Sequence, residues 1–185
     1  MIESFVDTLL KWNQRINLVA TGDVPHLWTR HVADSLQLGP LLPPGLPFTD
    51  LGSGAGFPGL VLSIAFGNPV TMIESDTRKA SFLREAARVS QANARIINSR
   101  IEDADVVPAP VITARALAAL PTLLYYAFPL LQPSGFCLFL KGRKVVDELA
   151  QARSNWHFVA ECIPSQTDPA GTVLKLSQIR RLNQS

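Results

Sequence analysis

Apolar side chains at Ile2, Phe5, Val6, Leu9, Trp12 and Ile16 recur close to every third or fourth position, a spacing that predicts an amphipathic helix over 2–18. A second helix is predicted from Pro25 to Leu38, because Pro25 suits a first helical position and Gly39-Pro40 is a stop signal. Four prolines and two glycines then crowd the stretch from Gly39 to Pro47, which reads as a stiff connector. From Phe48 onward the period changes. Short apolar runs at Phe48–Leu51, Val70–Ile73, Arg95–Ile97, Val111–Thr113, Phe136–Leu140, Phe158–Cys162 and Val173–Ile179 alternate with helical patterns at Gly59–Phe66, Thr77–Gln91, Leu120–Leu131 and Lys144–Arg153. That alternation predicts βαβ units and a largely parallel α/β sheet with right-handed crossovers. The last two runs are joined by too short a connection for a helical crossover, so an antiparallel pair is expected at the sheet edge. The expected organisation is one domain over 1–185, with a helical cap over 1–39 and a Rossmann-like core over 48–185.

At 185 residues, of which 47% are hydrophobic, the chain can bury one sizeable core but is short for two full domains. The net charge of +2 and the isoelectric point near 8.7 are too mild for a protein that grips duplex nucleic acid by charge alone, so any nucleic-acid contact must be local. Cys137 and Cys162 lie in strand-like runs without a partner at ligand spacing, so neither a disulfide framework nor a metal site is indicated and both read as buried thiols. Prolines at 121 and 129 break the most apolar stretch, Ala118 to Leu131, which is too short to span a membrane. No basic stretch followed by an apolar run opens the chain, so a soluble, cytoplasmic protein is expected; a monomer is expected as well.

The chemistry concentrates in Thr49-Asp50-Leu51-Gly52-Ser53-Gly54-Ala55-Gly56-Phe57-Pro58-Gly59, which closes a strand and opens a helix. Alternating glycines let the backbone turn sharply and approach a ligand with no Cβ in the way. In a parallel sheet such a loop sits at the carboxyl end of the first strand, where ligands bind. Gly54, Gly56 and Gly59 also satisfy the dinucleotide pattern, with Glu74 standing where a ribose-binding acid belongs, so a nicotinamide-dependent oxidoreductase is one reading. Asp50 separates the two readings. A carboxylate just before the glycines is poorly placed beside a pyrophosphate but well placed toward a cationic amino acid, and Asp-x-Gly-x-Gly-x-Gly resembles the first motif of class I S-adenosylmethionine-dependent methyltransferases. That resemblance gives Glu74 the ribose hydroxyls and Glu102, after the third strand, the adenine.

The fourth strand is followed by Thr113-Ala114-Arg115-Ala116-Leu117 and not by the Pro-Pro motif of exocyclic-amine methylating enzymes. Cys137 stands too early in its run to act as the nucleophile that pyrimidine C5 methylation needs. Taken together, Lys11-Trp12-Asn13 with Asn17-Leu18, Arg30-His31-Val32-Ala33-Asp34-Ser35, Gly52-Ser53-Gly54-Ala55-Gly56-Phe57-Pro58-Gly59, Glu74-Ser75 with Arg78-Lys79 and Phe82-Leu83, and Lys141-Gly142 resemble the RsmG (GidB) family of bacterial small-subunit (16S) ribosomal RNA guanine-N7 methyltransferases. The resemblance covers nearly the whole chain. It departs at Ala114, where the family commonly has serine, and in a shorter helical segment before Trp12.

The resemblance implies S-adenosylmethionine as cofactor, contacted by Asp50, Gly52, Gly54, Gly56, Phe57, Glu74, Ile101, Glu102 and Arg115, and small-subunit ribosomal RNA, a ribosomal subunit or an assembly intermediate as partner. Guanine N7 carries a lone pair and no proton, so its methylation calls for alignment and exclusion of water, with no general base. Arg115 and Lys141 are the residues expected at the reacting centre, Arg115 holding either guanine O6 or the cofactor carboxylate. Arg30, able to pair with Asp34, stands beside His31, Asp34 and Ser35, which share one helical face; they read either as a polar network pinning the cap or as a wall of the RNA entrance. Lys141, Arg143 and Lys144, with Lys11, Arg15 and Arg30, are the expected positive rim for phosphates. His26 and His157 read as ordinary surface residues. A non-catalytic RNA-binding module on the same fold is the remaining alternative.

Overall fold

The computed structural model describes residues 1–182, leaving the last three positions of the expected 1–185 span outside the described residues. Seven strands form one sheet: β1 Phe48–Leu51, β2 Val70–Ile73, β3 Ala94–Ile97, β4 Ala109–Arg115, β5 Leu131–Lys141, β6 Trp156–Pro164 and β7 Thr172–Arg181. Their order is β3-β2-β1-β4-β5-β7-β6. The first five run parallel, whereas β7 pairs antiparallel with both β5 and β6, as expected of the edge. The chain steps outward from β1 to β3 and then returns to the other side of β1 with β4. That reversal opens a crevice at the carboxyl ends of β1 and β4.

Alternation along the strands feeds two cores. On β5, Leu138 and Leu140 face the first core while Cys137 and Phe139 face the second, all nearly solvent-free. The helices α1 Ile2–Asn13, α2 Ala33–Leu36, α3 Gly59–Phe66 and α4 Thr77–Ser90 cover the first side, and α5 Leu120–Ala127 and α6 Val145–Ala152 cover the second. Phe5 and Leu9 of α1 join Phe48, Leu60 and Phe82 in a single cluster, so the cap shares the core of the sheet.

Three predicted helices differ at their ends. The first stops at Asn13, whose Oδ1 accepts the backbone N–H groups of Leu18 (2.9 Å) and Val19 (3.0 Å) and turns the chain, although Ile16 still packs on the core. The second is composite, a 3-10 turn over Thr21–His26, a π turn over Trp28–Val32 and α2, with Pro25 inside the 3-10 turn. The run predicted to Leu131 ends at Ala127, and Pro129 sits in a 3-10 turn before β5 begins. Cys137 is buried as expected, but Cys162 is exposed because β6 is the sheet edge. No described helix is long and apolar enough to cross a membrane.

Asp50 sets the packing beneath the glycine loop. It is fully buried opposite Thr113 in the β1–β4 register, and Thr113 donates to its Oδ1 at 2.7 Å. Its Oδ2 is buried without a hydrogen-bond partner and faces Gly59, where an added Cβ would stand 2.8 Å from it. Gly59 is therefore glycine because the Asp50 carboxylate occupies its side-chain space. Burial pushes the Asp50 carboxyl up to about 6, against the opposing pull of the Thr113 hydrogen bond. The folded protein thus holds this proton more tightly than the unfolded chain, whose aspartates titrate near 3.8. The contribution to stability is full below that lower value and is lost as pH rises through about 6. Asp50→Asn abolishes the titration. Denaturation curves across that window should show the unmodified protein losing about 1–3 kcal/mol relative to the variant as pH rises, and parallel curves would disprove the assignment.

Candidate active site

The loop from Gly52 to Pro58 opens at the crevice between β1 and β4. Gly52, Gly54 and Gly56 take φ of 61°, 50° and 92°, a left-handed backbone that side-chain-bearing residues rarely adopt. At Gly52 space is also short, since a Cβ would lie 2.5 Å from Leu117 Cδ1. The loop is closed by Gly56 N–H donating to Ser53 O at 2.7 Å and is braced from β2 by Glu74. Glu74 Oε2 accepts the Gly54 N–H and its Oε1 accepts the Asp76 N–H, each at 2.8 Å. A carboxylate oxygen has lone pairs to spare after one such bond.

Gly52, Gly54, Glu74, Ile101 and Glu102 line one cavity of about 300 Å³, with Ala116, Leu117 and Tyr126 on its other walls. Five of the nine residues expected around the cofactor thus converge. Four do not. Asp50 lies behind the loop against Gly59. A Cβ on Gly56 would meet Leu60 and Phe5, so that residue faces the core. Phe57 is 5% exposed, stacked on His31 with ring centroids 5.1 Å apart and set edge-on to Phe5. Arg115 belongs to the neighbouring cavity.

That second cavity, of about 380 Å³, is lined by Asp34, Arg115, Ala116, Lys141, Arg143, Lys144 and Glu148, by Ser165, Asp168 and Gly171 from the β6–β7 connection and by Thr172 at the start of β7. Ala116 lines both cavities. Its φ of 51° is left-handed, which costs a non-glycine residue on the order of 1 kcal/mol.

Arg115 leaves the end of β4 and is held by the cap. Its guanidinium donates to His31 Nδ1 at 2.6 Å, to Asp34 Oδ2 at 3.2 Å and to the Arg30 carbonyl at 3.3 Å, and it lies 5.0 Å from the Phe57 ring centroid. Since a guanidinium only donates, His31 Nδ1 is the acceptor and the proton of the neutral ring sits on Nε2. Burial, and then the charge of Arg115, lower the His31 pKa, which keeps that ring neutral.

The expected pairing of Arg30 with Asp34 does not form. Arg30 instead meets Asp23 at 2.7 Å, and Asp34 is taken by Arg115, by Gln37 (2.7 Å) and by Thr167 (2.8 Å). Ser35 is fully buried with its hydroxyl donating to the His31 carbonyl, so it belongs to the interior of the helix and to no RNA-facing wall. Lys141 also leaves the expected rim. Its side chain is 9% exposed and its ammonium lies 2.6 Å from Glu148. Arg15 lines a separate depression with Asp76, Arg78 and Lys79. Arg143 and Lys144 remain as exposed cations on the second cavity. The sequence carried no signal for Leu117, Tyr126, Glu148 or the 165–171 connection, because each reaches the site only through packing of distant segments. No group of three or more described His, Cys, Asp or Glu side chains is disposed to hold a metal ion.

The family profile described as rRNA small subunit methyltransferase G (GidB) matches residues 1–169. The chain is 55% identical over 181 residues to the ribosomal RNA small subunit methyltransferase G of Gluconobacter oxydans strain 621H, covering 98% of this chain and 94% of that one. It is 51% identical over 178 residues to the protein of the same name from Paramagnetospirillum magneticum, covering 96% and 87% of the two chains. Among solved structures, M. jannaschii TYW2 in complex with AdoMet superposes with a TM-score of 0.63 at 14% identity, over 91% of this chain and 80% of that one. The O-methyltransferase from Bacillus cereus in complex with SAH superposes with a TM-score of 0.61 at 14% identity, over 94% and 90%. At such identities the likeness is one of fold, the class I methyltransferase fold. On the profile match over residues 1–169 and the 55% identity over 98% of its length, the chain belongs to the rRNA small subunit methyltransferase G family.

Proposed function

We propose that this protein transfers the methyl group of S-adenosylmethionine to N7 of a guanine in small-subunit (16S) ribosomal RNA, acting in the cytoplasm as a monomer on the RNA or on a ribosomal particle. The observation that carries the reading is that two cavities share one lining residue, Ala116. One has the features of a nucleoside site: a glycine bend that side chains would fill, the Glu74 carboxylate with lone pairs free for ribose hydroxyls, and Ile101-Glu102 toward the adenine. The other opens between Arg143 and Lys144 and the connection from Ser165 to Gly171, and is wide enough for a base.

S-adenosylmethionine, when bound, supplies an electrophilic methyl group on a sulfonium. The task of the protein is then to hold guanine N7 in line with it and keep water away. No proton has to be removed, and His31, whose free electron pair is committed to Arg115, is not needed as a base. Arg115 lines the second cavity, and there its guanidinium would hold guanine O6. Arg143 and Lys144 hold phosphates of the flanking strand.

Chemical cleavage at N7-methylguanosine tests the reaction directly. Small-subunit RNA from cells lacking the activity should acquire a single cleavage site after incubation with the protein and S-adenosylmethionine, and a methyl group on any other atom rejects the assignment. Glu74→Ala removes the brace on Gly54 as well as the ribose acceptor, so calorimetry should record an affinity for S-adenosylhomocysteine lower by about 10- to 100-fold. Undiminished affinity would take Glu74 out of the cofactor site. The double variant Arg143→Ala/Lys144→Ala should bind that ligand normally and lower the salt dependence of RNA binding by about 1–2 in log–log slope. An unchanged slope would dismiss the two cations as phosphate contacts.

A further inference from the structure

A buried ion pair stands beside the junction of the two cavities. Lys141 closes β5 and its ammonium meets Glu148 Oε2 of α6 at 2.6 Å, the two side chains being 9% and 16% exposed. Each partner also holds backbone. Lys141 Nζ donates to the Ala118 carbonyl at 2.9 Å, and Glu148 Oε2 accepts the Leu120 N–H at 2.8 Å. The pair therefore grips, at two points, the turn that leaves β4 and enters α5. That turn is the partition between the cavities: Ala116, left-handed at φ 51°, lines both, and Leu117 lies over Gly52 so closely that a Cβ there would be 2.5 Å away.

We propose that Glu148, acting with Lys141, is a positioning residue for methyl transfer, fixing the 116–120 turn and with it the passage between donor and guanine. The inference rests on the function proposed above. A reaction run by alignment alone is sensitive to small displacements, and a shift of about 1 Å from a distant change can cost on the order of 100-fold in rate. Stability is a weak reason for such a pair, because replacing both members of a buried ion pair by apolar residues is often neutral or stabilising. What the apolar replacement cannot do is hold the Ala118 carbonyl and the Leu120 N–H. Both charges are spent on geometry at the partition, and neither is free for RNA.

The double variant Lys141→Met/Glu148→Leu separates the two roles. It removes both charges together, so no lone buried charge is left to unfold the protein. Its thermal midpoint should stay close to that of the unmodified protein, and its affinity for S-adenosylhomocysteine should change little. Single-turnover methyl transfer to small-subunit ribosomal RNA should slow by about 10- to 100-fold. Hydrogen exchange across 116–120 should accelerate. Should the double variant fail to fold, Lys141→Met/Glu148→Gln provides the test: it too leaves no lone buried charge, its amide oxygen keeps the Leu120 N–H, and release of the Ala118 carbonyl alone should still slow transfer and speed exchange across the turn. A folded variant with an unaltered single-turnover rate and unaltered exchange overturns the inference. Absence of transfer by the unmodified chain overturns the proposed function instead, and the inference with it; the rate of the unmodified chain tells the two failures apart.

Discussion

The guanidinium of Arg115 is the point at which the cap and the sheet become one structure. It projects from the last residue of β4, where the strand order reverses, and is received entirely by groups of the cap and the glycine loop: His31, Asp34, the Arg30 carbonyl and the face of Phe57. Asp34 relays the contact outward, since its second oxygen holds Gln37 and Thr167. One carboxylate thereby ties the cap, the end of β4 and the β6–β7 connection around the same cavity. Both charges of the Arg115–Asp34 pair are 17% exposed, so losing either strands the other in a poorly hydrated place, a penalty of about 3–5 kcal/mol. The polar network expected of His31 and Asp34 forms around Arg115, and Asp34 also lines the second cavity.

This geometry accounts for what could be read from the sequence. Strand positions were legible because short continuous apolar runs between helical patterns are a local signal, and the glycine loop was legible because a left-handed bend excludes most other residues. Helix ends were not. Asn13 stops α1 through bonds to Leu18 and Val19, and Asn in a helical pattern does not announce such bonds. Charges were the least legible part. Lys141, Arg143 and Lys144 look alike in a row, but only Lys141 finds a carboxylate, one turn into the following helix. Arg30 has acids on both sides of it, at 23 and 34, and the composite helix decides for Asp23.

The overlap between two glycine patterns is resolved by Asp50. In a dinucleotide reading, Gly59 would serve the approach of helix to strand beside a pyrophosphate. Here Gly59 is required by a buried carboxylate lying over it, and a negative charge at that place disfavours a second anion at the start of α3. Family membership points the same way. Asp50 is therefore informative for a reason other than the one that drew attention to it: it does not reach the cavity that Gly52, Gly54 and Glu74 line, but it fixes the bend that shapes that cavity.

A reaction that needs no base changes what a site must conserve its order for. Where a proton must move, a titratable group has to be free and poised; here His31 is bound, the first oxygen of Asp50 is bound, and Lys141 and Glu148 are bound to each other and to backbone. Each of these ionisable side chains is used to hold a segment in place. That is the arrangement expected when the barrier is lowered through distance and angle. It also explains why a strained residue, Ala116, sits where the two cavities touch: its left-handed backbone is kept by neighbours on both sides, Arg115 held by the cap and Ala118 held by Lys141.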